Sequence, residues 1–420
     1  MKKRMIYYYH RIVSNMTLFV RWMLIATITG VSVGAISSLF AFCLKYVTAF
    51  RTEHPWIIYF LPIAGCLIVT LYSLFHYKND KGTNLVLSTI HAEAELPLKM
   101  APLIFIATTI THLFGGSAGR EGAALQLGGS IGNQLGRWFK LDENDTRVIV
   151  MCGMSAAFSA VFGTPMAAAI FSLEVVSVGI MYYAALMPCV FSSITASMFS
   201  AKMGISAENF TILAIPNLHI LPCLKIILLA MCCAALSVLF CMLLHGTGDL
   251  FRKYIKNPYL RIIFASFAIL LITTFLGTTD YLGAGMPIID ETIRTHVKPT
   301  AFFWKMILTA LTLESGFKGG EIVPSFFIGA TFGCLFGTLF GISPSLCAAT
   351  GMIALFCGVT NCPITSMFIS FELFGFAGVP YFLIAISVSY MLSGYYGLYK
   401  DQTIVYSKYK TKFVNRKTHD

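Results

Sequence analysis

Residues 117–136 read Ser-Ala-Gly-Arg-Glu-Gly-Ala-Ala-Leu-Gln-Leu-Gly-Gly-Ser-Ile-Gly-Asn-Gln-Leu-Gly, and this stretch decides the fold. It places one carboxylate, Glu121, inside a long apolar region and among glycines. Gly128, Gly132 and Gly136 then recur every four residues, which marks one face of a helix. The sequence therefore predicts a helix that begins near Glu121, directly after a bent, glycine-rich loop.

A helix that begins inside an apolar region attracts anions. Its first N–H groups have no partner within the helix, and its N-terminal end carries partial positive charge. At membrane depth a broken backbone and an ionisable side chain are both costly, so they persist mainly where they line a polar pathway. We therefore expect this helix to point at an anion, with Glu121 competing for the same place. For the three spaced glycines alone, close helix packing is the alternative interpretation.

The composition is that of a protein that crosses a membrane many times. Of the 420 residues, 57% are hydrophobic and only 12% are charged, and the mean hydropathy is +0.75; a soluble protein carries about a quarter charged residues. The net charge of +11 does not indicate nucleic acid, because the basic residues are not gathered in one patch. Many of them lie in the two tails, so the positive-inside rule places both termini in the cytoplasm.

The chain contains an internal repeat. The segment from Gly153 to Glu174 recurs from Gly351 to Glu372 at an offset of 198 (372 − 174), and we expect both glutamates to act structurally at helix ends. The spaced glycines recur at an offset of 201, as Gly329, Gly333 and Gly337. Two similar halves predict a duplicated transporter fold with broken helices. We divide the chain into a first membrane repeat (1–200), a linker (201–222), a second membrane repeat (223–412) and a short cytoplasmic tail (413–420).

Two loops and the repeat together resemble one family. Gly119-Arg120-Glu121-Gly122 resembles the Gly-Arg-Glu-Gly signature of the CLC family of anion channels and proton-coupled antiporters. Gly320-Glu321-Ile322-Val323-Pro324 is similar to the second loop of that family, Gly-x-x-x-Pro. The resemblance spans Thr17 to Lys412 and implies an all-α polytopic membrane protein with a CLC-like fold of two inverted structural repeats and discontinuous helices. It also implies a homodimer in a plasma membrane, the inner membrane of a bacterium.

Three departures from the family pattern resemble its fluoride-exporting branch (CLC-F), whose members exchange fluoride for protons. The stretch from Gly82 to Val86 lacks the proline that chloride-selective members usually carry. Val175 stands where many proton-coupled members have a second glutamate, and it cannot carry a proton. Glu321 stands where chloride members have an apolar residue. Val323 differs from the branch itself, which often has threonine before the loop proline.

Glu121 is the expected proton and anion gate. As a carboxylate it competes for the anion position, and once protonated it leaves. A structural ion pair with Arg120 is the alternative. The resemblance implies anion binding by backbone and side-chain groups of Gly119, Arg120, Gly122, Thr83, Asn84, Glu321, Ile322, Val323 and Tyr399. The resemblance implies that Tyr399 is the family's central tyrosine, with Tyr396 as the alternative. Glu321 is either loop scaffold or a second proton acceptor. His112 lies in an apolar helix, and we expect it to be a hydrogen-bonded structural histidine.

The sequence thus predicts a proton-coupled fluoride antiporter that exports fluoride from the cytoplasm. A chloride or other anion antiporter, or a passive anion channel, is the alternative on the same scaffold. The expected partners are fluoride or chloride, protons, membrane lipid and a second copy of the chain. An intramembrane enzyme is not indicated, because His-Glu-x-x-His and Gly-x-Ser-x-Gly are both missing. The twelve cysteines are scattered through apolar segments without a Cys-x-x-Cys pair, so we expect no metal and no cofactor.

Overall fold

The computed structural model describes residues 2–77, 82–91, 96–294 and 298–418. Met1, His419 and Asp420, which belong to the expected first repeat and tail, lie outside the described residues. Over the described ranges the chain forms sixteen α-helices, two 3-10 turns (Pro55–Phe60 and Tyr183–Ala185) and three short strands. Seven helical segments in these ranges are long and apolar enough to cross a membrane. The expectation of an all-α polytopic protein is confirmed for the membrane region.

The helices form two sets of eight that follow each other in the same order. The first set is α1 (Lys2–Glu53), α2 (Leu61–Leu74), α3 (Thr83–Ile90), α4 (Met100–Leu113), α5 (Glu121–Trp138), α6 (Glu143–Phe162), α7 (Pro165–Glu174) and α8 (Leu186–Lys202). The second set is α9 (Ile220–Tyr254), α10 (Pro258–Leu276), α11 (Met286–Arg294), α12 (Ala301–Ser315), α13 (Ile322–Phe340), α14 (Pro344–Thr360), α15 (Pro363–Phe374) and α16 (Val379–Leu392).

Glycines interrupt the chain before α5 and before α13. Gly115 has φ +88° and Gly316 has φ +124°, a backbone region that L side chains rarely adopt. The two glycines are equivalent in the repeat (316 − 115 = 201), so both halves break at the same point. The loops after them allow α5 to begin at Glu121 and α13 at Ile322, inside the protein. The broken helices are therefore encoded by backbone conformation.

The spaced glycines bring helices into close contact. A Cβ on Gly128 would collide with the carbonyl oxygen of Gly153 in α6, and one on Gly132 would lie 2.6 Å from the carbonyl oxygen of Ile149. In the second half a Cβ on Gly329 would likewise collide with the carbonyl oxygen of Gly351 in α14. The close-packing interpretation of these glycines is therefore confirmed.

A reciprocal pair of glutamates joins the two halves. The Glu372 carboxylate, near the end of α15, accepts from the N–H groups of Met166 (2.8 Å) and Ala167 (2.9 Å) at the start of α7. The Glu174 carboxylate, at the end of α7, accepts from the N–H groups of Ile364 (3.0 Å) and Thr365 (2.8 Å) at the start of α15. The expected structural role at helix ends is confirmed for both glutamates.

A small sheet lies beyond the helices, and the sequence did not predict it. It contains β1 (Ser177–Val178), β2 (Thr403–Tyr406) and β3 (Phe413–Lys417), with β1 parallel and β3 antiparallel to β2. The segment expected to be a short tail therefore begins with a paired strand. The sheet fixes the chain after α16 to the end of α7.

Candidate anion and proton site

Two glycine-rich loops, one from each repeat, are hydrogen-bonded to each other inside the protein. The first loop, residues 114–120, joins α4 to α5, and the second, residues 316–321, joins α12 to α13. The N–H of Gly119 donates to the oxygen of Gly320 (2.7 Å), and the N–H of Gly320 donates to the oxygen of Gly119 (2.8 Å). These glycines are equivalent in the repeat (320 − 119 = 201). The starts of α5 and α13 are thereby brought to one place.

The space around Gly122 shows which groups converge there. A Cβ on Gly122 would lie 2.9 Å from Gly320 Cα, 3.1 Å from Thr83 Oγ1 and 3.2 Å from Glu321 Oε2. A side chain larger than hydrogen would therefore push the loops apart. Thr83, at the start of α3, and Glu321, in the second loop, are both brought beside the start of α5.

Glu121 is the first residue of α5 and is fully buried. Its Oε2 accepts from the backbone N–H of Arg120 (3.1 Å), and its Oε1 lies 3.3 Å from Arg120 Nε. Arg120 also forms an ion pair with Glu208 at 3.0 Å. The ion pair between Glu121 and Arg120, which was the alternative interpretation of the sequence, is thus present. Because Arg120 has a second carboxylate, it keeps an anionic partner if Glu121 becomes neutral.

Several buried polar atoms near the loops lack a hydrogen-bond partner among the described residues. They are Glu321 Oε2, Tyr399 OH and Gln126 Oε1. Leaving such an atom unpaired costs about 1–3 kcal/mol, so a group of them indicates a place for a polar ligand or water. Tyr399 is 1% exposed and lies within electrostatic range of both Glu321 and Glu121. Tyr396 is 39% exposed, which favours Tyr399 as the central tyrosine.

The remaining expected ligands differ in what they offer. Ile322 and Val323 are the first residues of α13 and are fully buried, so they present helix-start N–H groups and apolar side chains. Asn84 lies next to Thr83, but its Oδ1 accepts from the N–H of Asp401 at 3.1 Å. The amide oxygen of Asn84 therefore ties α3 to the segment after α16.

Two cavities lead toward the loops. The Arg51 cavity has a volume of about 590 Å³ and reaches Arg120, His112 and Glu208. The Arg252 cavity has a volume of about 430 Å³ and reaches Thr83, Gln126 and Glu321, with Glu314, Lys400 and Asp401 further along its wall. Arg51 and Arg252 are equivalent in the repeat (252 − 51 = 201). Each half thus supplies the same element, the end of its first long helix, to one of the two cavities.

Sequence reasoning missed Gln126 and correctly interpreted His112. Gln126 lies five residues after Glu121, in a helix rich in glycine and small apolar residues. Its polar side chain in that setting was the feature of the sequence that could have identified it. Its Nε2 lies 3.4 Å from the oxygen of Gly122, and its side chain lines the Arg252 cavity. The expected hydrogen-bonded histidine is confirmed, because the Nε2 of buried His112 lies 3.3 Å from the oxygen of Gly119.

Comparisons with known proteins agree with this geometry. Residues 70–394 match the family described as voltage gated chloride channel. A chloride/fluoride channel protein of Pseudomonas syringae pv. tomato is 35% identical over 396 residues, which cover 93% of this chain and 88% of that protein. An H(+)/Cl(-) exchange transporter of Vibrio parahaemolyticus is 24% identical over 394 residues, with coverages of 84% and 81%.

Solved structures are similar over most of the chain. The crystal structure of a CLC-type fluoride/proton antiporter has a TM-score of 0.88 and 34% identity, covering 91% of this chain and 98% of that one. A slow cyanobacterial Cl-/H+ antiporter has a TM-score of 0.76 at 18% identity, covering 89% and 94%, and this likeness concerns the fold alone. The expected fold of two inverted repeats with discontinuous helices is confirmed. From the family match and the 35% identical relative, the chain belongs to the CLC family.

Proposed function

We propose that this protein is a fluoride/proton antiporter that exports fluoride from the cytoplasm. The observation that carries the proposal is Glu321, whose unpaired Oε2 lies beside Gly122 in the second loop. Two carboxylates, Glu121 at the start of α5 and Glu321 in the second loop, thus lie where the two loops meet. Anion passage alone needs hydrogen-bond donors, whereas a second carboxylate on the path supplies a place for a proton. The name of the solved fluoride/proton antiporter supports this function, and the name of the Pseudomonas chloride/fluoride channel protein supports fluoride as the transported ion.

Fluoride is small and strongly hydrated, so its site must replace water with good donors. The helix-start N–H groups at Gly122, Ile322 and Val323 point out of α5 and α13 and lack partners within those helices. The unpaired hydroxyl of Tyr399 and the hydroxyl of Thr83 add two side-chain donors. Together these groups present several hydrogen-bond donors to one anion.

Glu121 links the anion to the proton. As a carboxylate it is attracted to the helix start and to Arg120, the same positive end that attracts fluoride. A proton removes that attraction, and Arg120 retains Glu208 as its partner. Neutral Glu121 is then free to leave the path and pass its proton to Glu321, while fluoride takes the vacated donors. One residue thereby couples the two movements in opposite directions.

The inverted repeats give the pathway its two sides. Because Arg51 and Arg252 are equivalent, inverted repeats put their cavities on opposite membrane faces. Lys400, at the start of the basic carboxyl-terminal segment, lines the Arg252 cavity, so the positive-inside rule assigns that cavity to the cytoplasm. Fluoride then enters at the Arg252 cavity and leaves at the Arg51 cavity. We expect a homodimer in a bacterial inner membrane, with one pathway per subunit and both termini cytoplasmic.

Fluxes in reconstituted vesicles test the function. A fluoride gradient should drive proton movement in the opposite direction, and an equal chloride gradient should drive much less. A proton-coupled chloride flux as large as that of fluoride would instead favour the chloride antiporter. Fluoride flux without any proton movement would favour a passive channel.

A further inference from the structure

We propose that Glu314 is the cytoplasmic proton acceptor of the pathway and that it exchanges protons with Glu321 across the Arg252 cavity. The proposal rests on the proposed function and adds a residue to it. Val175 stands where many proton-coupled members of the family have a second glutamate, and it has no titratable group. The route from Glu321 to the cytoplasm therefore needs another carboxylate.

Among the described residues, the end of α7 offers no free carboxylate that could accept a proton. Val175 is fully buried, and its carbonyl oxygen accepts from Gln402 Nε2 at 2.9 Å. The neighbouring Glu174 carboxylate accepts from two N–H groups of α15, and also from the hydroxyl of Thr365 at 2.6 Å. Glu174 therefore holds the helix start of the other repeat, and protonating it would weaken that contact. A proton path along α7 is unfavourable.

The Arg252 cavity contains a better-placed carboxylate. Of the described residues that line it, Glu314, Glu321 and Asp401 carry carboxylates. Asp401 is held in place, because Ser88 Oγ donates to its Oδ2 at 2.7 Å and Lys417 Nζ lies 3.3 Å from its Oδ1. Glu314 is held more loosely, since its Oε2 lies 4.0 Å from Arg252 Nη1, the outer limit of an ion pair. Its side chain is 23% exposed and is therefore open to water.

The packing around Glu314 leaves room for its carboxylate. A Cβ on Gly248 of α9 would collide with Glu314 Oε2, so the missing side chain at this position makes space for the carboxylate. Further along the same cavity, Gln126 Oε1 and Glu321 Oε2 are both buried and unpaired among the described residues. Gln126 is 2% exposed. Water in this cavity would therefore meet hydrogen-bond acceptors leading from Glu314 to Glu321.

Charged groups from three segments face Glu314. Arg252 and Asp249 belong to α9, Arg261 belongs to α10, and Lys400 follows α16. His245 of α9 lines the same cavity. Because Asp249 is exposed and does not line the cavity, its removal changes the local charge without interrupting the route. It provides a matched control.

The transfer is a simple exchange of O–H bonds. In the export direction, protonated Glu321 gives its proton to the Glu314 carboxylate, directly or through water in the cavity. Glu321 is left as a carboxylate, ready for the next proton from Glu121. Glu314 then gives the proton to cytoplasmic water and returns to its carboxylate form. No oxidant, reductant or other reactant is needed.

The test compares fluoride and proton fluxes of wild type, Glu314→Gln, Glu314→Asp and Asp249→Asn in vesicles. Glu314→Gln should lower the proton flux by about a hundredfold or more, as for loss of a proton-transfer group, while fluoride still moves. Glu314→Asp should recover most of the proton flux with an altered pH profile, and Asp249→Asn should resemble wild type.

Each other outcome is decisive. Wild-type coupling in Glu314→Gln would overturn the role of Glu314, and so would an equal loss in Asp249→Asn, which would indicate a general field effect. If Glu314→Gln does not fold, an unchanged pH profile in Glu314→Asp overturns the proposal. Fluoride flux without proton flux in wild type would remove the proposed function itself, an outcome distinct from a failure of Glu314 alone.

Discussion

Thr111 and Thr312 each accept a hydrogen bond from the loop of the other repeat. The N–H of Lys318 donates to Thr111 Oγ1 at 3.2 Å, and the N–H of Ser117 donates to Thr312 Oγ1 at 3.1 Å. The two threonines are equivalent in the repeat (312 − 111 = 201), and both are fully buried. Together with the two bonds between the loop glycines, this contact fixes the loops against each other. The two loops are therefore held in one arrangement by contacts between the repeats.

Replacing these threonines should weaken the fold. Thr312→Val keeps the shape but leaves the N–H of Ser117 unpaired inside the protein, and Thr111→Val removes the hydroxyl that accepts from the N–H of Lys318. We expect each substitution to cost about 1–3 kcal/mol of stability, measured as thermal unfolding in detergent.

Thr331→Val is the control for both substitutions. Thr331 is also buried, but among the described residues its hydroxyl bonds to carbonyl groups of its own helix, at Phe327 and Ile328. The loss should therefore be smaller in Thr331→Val. Equal losses in all three variants would mean that the contacts between the loops add nothing to stability.

Tyr399→Phe should weaken fluoride binding and transport without lowering the stability of the folded protein. The hydroxyl of Tyr399 is buried and has no partner among the described residues, so its removal should leave the folded protein at least as stable. If the hydroxyl donates to fluoride, its loss should weaken fluoride binding about tenfold, which corresponds to about 1.4 kcal/mol. Fluoride-dependent stabilisation and flux measure the effect. Tyr396→Phe is the control, and a larger effect there would move the central tyrosine to position 396.

Lys408 should make stability depend on pH. It lies beyond the last helix, its Nζ donates to Ser393 Oγ at 3.1 Å, and burial lowers its pKa to about 8. An unfolded lysine has a pKa of about 10.4, so between these values the unfolded chain binds more protons than the folded one. Stability from this group should therefore rise as pH rises from about 8 to about 10. Below that window the charged form opposes folding.

The measurement is thermal unfolding across this pH range for wild type and Lys408→Met. The variant should lose the rise in stability with pH. Lys410→Met removes an exposed charge two residues away and should keep the rise. If Lys408→Met follows the wild-type curve, the pH dependence comes from other groups.

The parts of the fold that depend on backbone conformation could be predicted from the sequence. Two residue types can be recognised directly in the sequence: glycines that adopt a positive φ, such as Gly115 and Gly316, and prolines at helix starts, such as Pro165. The repeat offset then places the two loops at equivalent positions. These glycines, prolines and the repeat were sufficient to predict broken helices and the start of α5 at Glu121.

The remaining features depend on distant residues that meet only in the folded protein. Gln402 bonds to Val175, which lies 227 residues away, and Ser117 bonds to Thr312, which lies 195 residues away. No local pattern marks such pairs. The tail sheet was missed for the same reason, because β1 has two residues and becomes a strand only by pairing with β2. The role of Glu314 could not be predicted from the sequence, because its cavity is formed by segments that lie far apart in the chain: α3, α5, α9, α10, the second loop and the stretch after α16.

Glu121→Gln tests the centre of the mechanism. Glutamine has nearly the same shape, but it carries no proton that can be exchanged, so proton flux should fall by at least about tenfold. Because glutamine cannot bear the charge that competes for the helix start, fluoride flux should persist. The measurement is simultaneous fluoride efflux and proton uptake in vesicles, with Glu208→Gln as a control that removes the other partner of Arg120. Full proton coupling in Glu121→Gln would contradict the gate, and a large loss of stability would instead favour a structural pair with Arg120.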